Sequence, residues 1–215
     1  MKGIFITFEG GEGAGKTTVL HAIKDILEKQ GKRVVATREP GGSEIAEKIR
    51  RIILNPDHTE MDARTEALLY AAARRQHLVE TVLPQLENGA LVLCDRFIDS
   101  SLVYQGVGRS LGVDDVLKMN LFATAGLMPA LTLYFDVDPA IGLARIEKNS
   151  EREFNRLDKE KLDFHYQVRE AYQALANKEP ERIKTISAEK DIESVIESTW
   201  QLLTEYLTDS PEKSE

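Results

Sequence analysis

Short apolar, β-branched runs alternate along this chain with longer segments of helical periodicity. The run 90–94 is apolar on both faces, which is typical of a strand covered by helices on both sides. The alternation predicts an α/β protein with three layers, in which helices flank a five-stranded parallel sheet. The predicted strands are residues 2–8, 33–37, 90–95, 131–136 and 182–187. The predicted helices are residues 15–30, 43–54, 62–87, 98–106, 113–125, 139–149, 157–178 and 191–207.

The domain organisation follows from length and local composition. A chain of 215 residues with 42% hydrophobic and 30% charged residues is long enough for one packed globular domain. We expect this domain to span residues 1–207. A polar, charged segment at about 149–157 separates two predicted helices and is expected to form a small lid. Residues 208–215 are expected to be a polar tail.

Charge and cysteine content restrict the partners and the compartment. The net charge is −8, and the sequence contains no dense lysine and arginine tract, so we expect no nucleic-acid partner. The single cysteine, Cys94, ends an apolar run and fits a buried thiol in a reducing compartment. No stretch approaches the ~20 apolar residues of a membrane helix, so we expect no membrane association and a cytoplasmic location.

The segment Gly10–Thr17 has the pattern G-x-x-x-x-G-K-T between a predicted strand and a predicted helix. The glycines allow backbone N–H groups to surround phosphate oxygens, and the helix N-terminus adds a partial positive charge. Lys16 can reach the outer phosphates, and the hydroxyl of Thr17 can bind Mg²⁺. The loop therefore predicts a nucleoside triphosphate site. The residues expected to contact the nucleotide are Gly10, Gly11, Glu12, Gly13, Ala14, Gly15, Lys16, Thr17 and Thr18.

The third predicted strand ends in Asp95 and is followed by Arg96. Because the carboxyl ends of parallel strands meet at one edge, Asp95 is expected beside the phosphate loop, where it can hold Mg²⁺ together with Thr17. Arg96 offers a planar cation that suits a phosphate. An ordinary strand end is the alternative interpretation. The segment Thr37–Gly42 follows the second strand and brings Arg38 to the same edge, although it can also be a simple turn.

Two pairs of residues are spaced four apart on predicted helices. Tyr70 lies on one helical face with Arg74, and Ser101 lies on one face with Gln105. An aromatic ring, a guanidinium, a hydroxyl and an amide can together bind a planar base by stacking and edge hydrogen bonds. Ordinary packing or surface placement is the alternative for such pairs.

The predicted lid contains Arg152 and Arg156, which are also four residues apart. Two cations on a movable segment can close over a transferred phosphoryl group. A solvated run of charges is the alternative. Phosphoryl transfer suits this inventory, because the protein needs only to align the reactants and stabilise charge.

Four ordered segments give the chain a resemblance to thymidylate kinases of the bacterial type. They are residues 5–18, 37–42, 65–74 and 95–106, with a weaker match at 155–158. The resemblance implies that ATP, with Mg²⁺, phosphorylates dTMP to dTDP, and that the enzyme is a homodimer. The phosphate loop contains no arginine and no lysine before Lys16, so the chain is similar to the members whose catalytic arginine lies in the lid.

The resemblance also implies roles for individual residues. Glu12 corresponds to the carboxylate near the 3′-hydroxyl of dTMP, and Arg38 and Arg96 correspond to ligands of the acceptor phosphate. Arg50 is a further candidate there. The base-facing residues are implied to be Tyr70, Arg74, Ser101 and Gln105, with Tyr70 against thymine. The residues assigned catalytic roles are Lys16, Asp95, Arg96, Arg152 and Arg156.

Three other functions share the phosphate loop. A GTPase switch is disfavoured because the chain has no Asn-Lys-x-Asp segment. A nucleoside kinase needs a carboxylate base near a neutral sugar hydroxyl, for which Glu9 or Asp95 are available. Another nucleoside monophosphate kinase would keep the same chemistry with a different base. The two arginines on the acceptor side favour a phosphorylated acceptor.

Overall fold

Five parallel strands form the sheet of this protein, in the order β2-β3-β1-β4-β5. The computed structural model describes residues 3–148 and 156–209, and every structural statement below refers to these residues. The strands are β1 (Ile4–Gly10), β2 (Val34–Arg38), β3 (Leu91–Asp95), β4 (Leu131–Asp136) and β5 (Ile183–Ser187). All five predicted strands are present, and the predicted α/β fold class is confirmed.

In the described part of the chain, nine α-helices connect and flank the strands. Their bounds are α1 (Lys16–Lys29), α2 (Glu44–Leu54), α3 (Ala63–His77), α4 (Leu83–Glu87), α5 (Ile98–Ser101), α6 (Val113–Thr124), α7 (Pro139–Glu147), α8 (Leu162–Lys178) and α9 (Ile192–Asp209). Two π-helical segments, Leu78–Val82 and Leu102–Gly108, continue α3 and α5, and a 3₁₀ turn covers Arg156–Lys159.

Several predicted elements differ from the structure in their boundaries or in the type of helix. The predicted helix 62–87 is a continuous helical stretch, but a π-helical segment joins its two α-helical parts. The predicted helix 157–178 begins only at Leu162 in the structure, and the 3₁₀ turn Arg156–Lys159 precedes it. Residues 208 and 209, which were predicted to begin the polar tail, belong to α9. Of the predicted lid 149–157, residues 149–155 lie outside the described residues.

The central strand β1 contributes to hydrophobic clusters on both faces of the sheet. Ile6 and Phe8 pack in the cluster formed with α1 and α9, whereas Phe5 packs on Phe97 in the cluster on the opposite face. This alternation is the period of two that a strand imposes on its side chains. Fully burying a Phe side chain stabilises a fold by roughly 1.5–3 kcal/mol.

Parallel pairing brings the carboxyl ends of the strands to one edge. Phe8 lies opposite Asp95, and Arg38 also lies opposite Asp95 from the other neighbouring strand. The loops that follow β1, β2 and β3 therefore converge there, at the position where parallel α/β sheets bind ligands. None of the helices in the described part of the chain combines the length and the hydropathy needed to cross a membrane.

Candidate active site

The loop after β1 wraps around the N-terminus of α1. Gly13 and Gly15 have φ angles of 69° and 80°, which favour glycine. A Cβ atom on Gly13 would lie 2.0 Å from the carbonyl oxygen of Gly142 in α7, so the loop packs backbone to backbone on that helix. The Lys16 ammonium donates to the carbonyl oxygens of Gly10 and Gly11 at 3.1 and 2.8 Å. Burial, and then the nearby Arg96, lower the pKa of Lys16 to about 8.

The two predicted magnesium ligands are in direct contact. The hydroxyl of Thr17, in the first turn of α1, donates to an oxygen of Asp95 at 2.5 Å. Asp95 reaches this position because β3 is paired in parallel with β1. A hydroxyl and a carboxylate are hard oxygen donors beside the phosphate loop, so these residues fit Mg²⁺.

Arg96 connects the phosphate loop to the wall of the cleft. Its guanidinium donates to the carbonyl oxygen of Gly10 at 3.0 Å and to Glu12 at 2.6 Å, and it lies 5.2 Å from the centre of the Tyr104 ring. Its φ angle of 69° is unusual for a residue other than glycine, and such backbone strain is typical of functional sites. The Tyr104 hydroxyl also donates to Glu12, at 3.3 Å. Sequence reasoning missed Tyr104, since it lies between motif residues with no spacing rule of its own.

The loop after β2 brings two further arginines into the cleft. Arg38 and Arg50 both donate to the carbonyl oxygen of Pro40, at 2.9 and 3.1 Å. The Glu39–Pro40 peptide bond is cis. Arg38 also pairs with Glu47 at 3.0 Å. Both arginines line the cleft.

The four residues predicted to face the base all line the same cleft. Burial raises the pKa of Tyr70 above its usual range, so its hydroxyl stays protonated. Arg74 is almost completely buried and donates to Ser101 at 3.0 Å and to the carbonyl oxygen of Phe97 at 2.9 Å. It also contacts Asn120. Arg74 thus fixes the position of α5 as well as facing the cleft.

A chain of buried hydrogen bonds holds Arg74 from behind. Its Nε donates to Glu39 at 2.7 Å, and the other Glu39 oxygen contacts Nδ1 of His77 at 2.9 Å. Nε2 of His77 in turn contacts the hydroxyl of Thr37 at 2.7 Å. In the tautomer that donates from Nδ1 to Glu39, a neutral His77 accepts from the Thr37 hydroxyl at Nε2. We call this chain the His77 relay.

A second network of buried hydrogen bonds, centred on Glu9, holds helix α5 in place. Glu9, completely buried at the end of β1, accepts from the backbone N–H groups of Phe97 and Ser100 at 2.7 and 3.2 Å. It also accepts from the Ser100 hydroxyl at 2.6 Å and from the Tyr172 hydroxyl at 2.7 Å. Burial, and then Asp99, raise the pKa of Glu9 to about 7. These contacts make Glu9 a support for the cleft wall.

The structure directs Arg156 away from the cleft. Its guanidinium pairs with Glu66 of α3 and donates to the carbonyl oxygen of Ile53 at 3.1 Å, and the residue is buried. Arg156 is not among the described residues that line the cleft, because the buried carboxylate of Glu66 binds its charge. The other predicted lid cation, Arg152, lies outside the described residues.

The far end of the cleft is formed by residues that lie outside the sequence motifs. The cleft has a volume of ≈ 710 Å³ and extends from Tyr70 past the phosphate loop to Arg145 and the segment 190–192. Arg145 donates to the carbonyl oxygen of Ala188 at 2.8 Å, just after β5. The strand order could have identified this segment, because residues that follow β5 must lie at the ligand-binding edge.

The fold and the cleft define a class of protein, the P-loop enzymes that transfer a phosphoryl group to a second bound nucleotide. The family model "Thymidylate kinase" matches residues 8–199. The chain is 59% identical over 203 residues to the thymidylate kinase of Anoxybacillus flavithermus, covering 94% of this chain and 97% of that protein. It is 57% identical over 210 residues to the thymidylate kinase of Bacillus licheniformis, covering 98% and 99% of the two chains. The chain belongs to the thymidylate kinase family.

A solved structure supports the same assignment. The crystal structure of thymidylate kinase from Ehrlichia chaffeensis superposes with a TM-score of 0.75 at 31% identity, covering 94% of this chain and 99% of that one. The predicted family and fold are therefore confirmed. The protein is a nucleoside monophosphate kinase that phosphorylates dTMP, and the GTPase and nucleoside kinase alternatives are set aside.

Proposed function

We propose that the γ-phosphoryl group of ATP passes to the phosphate of dTMP at the centre of this cleft, beside Arg96. The observation that supports this arrangement is a single cleft with the phosphate loop at its middle, Tyr70 and Gln105 at one end and Arg145 at the other. The donor and the acceptor nucleotide then meet end to end. Such alignment is the main contribution of a protein to phosphoryl transfer.

On the donor side, the backbone of Gly10–Thr18 surrounds the phosphates of ATP, and Lys16 provides a positive charge. Lys16 is held in place by two carbonyl oxygens of its own loop, so it is already oriented. Thr17 and Asp95 would hold Mg²⁺, which neutralises phosphate charge when bound. Arg145 and the segment 190–192 are positioned to line the adenine end of the cleft.

On the acceptor side, Arg38, Arg50 and Arg96 bind the phosphate of dTMP. Arg96 supports this role most strongly, because its contacts with Gly10 and Glu12 hold it at the phosphate loop. A fixed guanidinium stabilises the charge on transferred oxygens without first having to reorganise. The carboxylate of Glu12 accepts a hydrogen bond from the 3′-hydroxyl of dTMP in this arrangement.

At the base end, the ring of Tyr70 stacks on thymine, and Arg74 and Gln105 bind the base edge. Ser101 lines the wall beside them. The buried contacts of Arg74 with Glu39 and Ser101 support this role, because they hold the guanidinium in one orientation. A buried polar edge of this kind selects a base by leaving mismatched groups unpaired.

We propose that Arg152 is the lid cation that closes over the transferred phosphoryl group. The second candidate, Arg156, pairs with Glu66, and this contact supports a role in tying the end of the lid segment to α3. An arginine that closes over the phosphoryl group contributes mainly to the transition state. The kinetic signature of Arg152→Ala is therefore a fall in kcat that exceeds the change in dTMP affinity.

We further propose that the protein is a homodimer and acts in the cytoplasm. Apolar side chains are exposed on α2, α3 and α6, which pack side by side, and Phe122 has 90% of its surface exposed. A patch of this kind marks a protein interface. The buried, unpaired Cys94 supports a reducing compartment. Neither a nucleic acid nor a membrane is needed for these substrates.

The test is a substrate panel with purified protein, ATP and Mg²⁺, in which ADP release is followed with dTMP, dUMP, dCMP, dAMP, dGMP and thymidine. We expect strong turnover with dTMP alone. Lys16→Ala and Arg96→Ala are each expected to lower kcat by roughly 10²-fold or more, because each removes a charge used in the transition state. Turnover of thymidine without any monophosphate would refute the roles of Arg38 and Arg96.

A further inference from the structure

Glu66 is a buried carboxylate on α3 to which the sequence motifs assign no role. It is 1% exposed, and it faces the helical segment that carries Gln105. The amide nitrogen of Gln105 donates to Glu66 at 2.8 Å. Two arginines bind the same carboxylate: Arg156, and Arg109 at 3.3 Å. Glu66 therefore lies directly behind a residue of the base-binding wall.

The arginines keep Glu66 ionised in spite of its burial. Burial raises the pKa of a carboxyl group, but here the hydrogen bonds from Arg156 and Gln105 and the charge of Arg109 lower it below the usual value. Arg109 is itself held by Glu160 at 2.7 Å and by the ring of Phe164. Because these contacts hold the Glu66 carboxylate on several sides, the carboxylate has one orientation.

An ionised carboxylate can only accept hydrogen bonds. The side-chain amide of Gln105 must therefore turn its NH₂ group towards Glu66. Its carbonyl oxygen is then the atom that remains for the cleft, which Gln105 lines. The charge on Glu66 thus determines that Gln105 presents an acceptor, and not a donor, to a bound base.

We propose that Glu66 is a positioning residue that sets the selectivity for thymine over cytosine by fixing the amide orientation of Gln105. This inference rests on the proposed base-facing role of Gln105. Thymine carries an N3–H donor, which the Gln105 oxygen can accept, whereas N3 of cytosine is an acceptor and would face that oxygen unpaired. Uracil has the same N3–H group as thymine, so Glu66 does not distinguish dTMP from dUMP.

Arg74 completes the same pattern. Four of its five N–H donors bond to protein groups in the described part of the chain, and the remaining donor is on Nη2. A donor from Arg74 beside an acceptor from Gln105 complements the C4 carbonyl and the N3–H of thymine. With cytosine, the same pair would place the Arg74 donor against the donor amino group and the Gln105 acceptor against the acceptor N3.

The experiment measures kcat/KM for dTMP, dUMP and dCMP with wild type and Glu66→Gln. A neutral amide at position 66 can donate as well as accept, so Gln105 becomes free to rotate. We expect the selectivity for dTMP over dCMP to fall roughly tenfold or more, with a rise in kcat/KM for dCMP. We expect the ratio of kcat/KM for dTMP to kcat/KM for dUMP to stay within roughly twofold of the wild-type ratio. A general loosening of the site would change this ratio as well.

Controls separate this inference from its alternatives. Glu28→Gln breaks another ion pair, with Lys24 near the C-terminal end of α1, and should leave both ratios unchanged. Gln105→Met should abolish any effect of Glu66→Gln on the dCMP ratio. An unchanged ratio of kcat/KM for dTMP to that for dCMP in folded Glu66→Gln overturns the inference. If that variant does not fold, the same result with Glu66→Gln combined with Arg109→Gln, which removes one of the charges paired with this carboxylate, does so. Inactive wild type would instead refute the proposed site roles.

Discussion

The backbone contact between the phosphate loop and α7 gives a test that separates activity from stability. A Cβ atom on Gly142 would lie 2.2 Å from the carbonyl oxygen of Glu12. An ordinary van der Waals contact needs about 1 Å more, so either the loop or the helix must move by that distance in Gly142→Ala. The obstructing atom belongs to the backbone, which cannot rotate out of the way as a flexible side chain can.

The expected effect on stability is small, because two terms oppose each other. Alanine is favoured over glycine inside a helix by about 1 kcal/mol, and overpacking costs about 1–3 kcal/mol. The net loss in the free energy of unfolding is therefore about 0–2 kcal/mol. The phosphate loop, however, is displaced by about 1 Å, which can lower the rate of a positioned reaction by roughly 10²-fold.

Initial-rate kinetics with ATP and dTMP, together with urea denaturation, measure both effects on the same preparation. Ile141→Ala is the matched control, since it removes an exposed side chain from the same helix without touching the loop. A folded Gly142→Ala protein with wild-type kcat/KM for ATP would show that the contact does not position the loop.

Three further predictions concern other parts of the molecule. Glu9, whose pKa rises from 4.5 to about 7 on folding, stabilises the protein below pH 4.5 relative to higher pH. This contribution of about 3 kcal/mol is lost as the pH rises through 7, and Glu9→Gln should remove that pH dependence in urea denaturation. In the His77 relay, the amide nitrogen of Asn in His77→Asn can replace Nδ1 as the donor to Glu39, whereas the amide of Gln in His77→Gln replaces Nε2 and leaves Glu39 without this donor. His77→Gln should therefore raise KM for dTMP roughly tenfold, with a smaller change in kcat. Phe122→Glu should convert the proposed dimer to a monomer in sedimentation velocity, and an unchanged sedimentation coefficient that matches a dimer would place the interface elsewhere.

The sequence predicts the sheet and the phosphate loop well because the relevant residues are consecutive. The glycines before Lys16 and the apolar run before Asp95 each occupy one short segment. Parallel pairing then brings Thr17 and Asp95 together by geometry alone, and the structure places them in contact.

Long-range side-chain partners could not be predicted in the same way. Arg156 is separated by 90 residues from its partner Glu66, and Tyr172 by 163 residues from Glu9. Glu9 and Glu66 both lie inside family segments, but a motif does not say which distant side chain binds them, and a periodic pattern specifies only which face of an element is buried. The spacing of Arg152 and Arg156 predicts two cations on one lid segment, but Arg156 pairs with the buried carboxylate of Glu66.

The central position of β1 has a consequence for the growing chain. β1 is synthesised first, yet its neighbours β3 and β4 begin at residues 91 and 131, and Tyr172, which supports Glu9, comes later still. During synthesis this apolar strand therefore waits with both edges unpaired, a state in which strands readily associate with other chains. The ribosome must release most of the protein before its first element acquires its final neighbours.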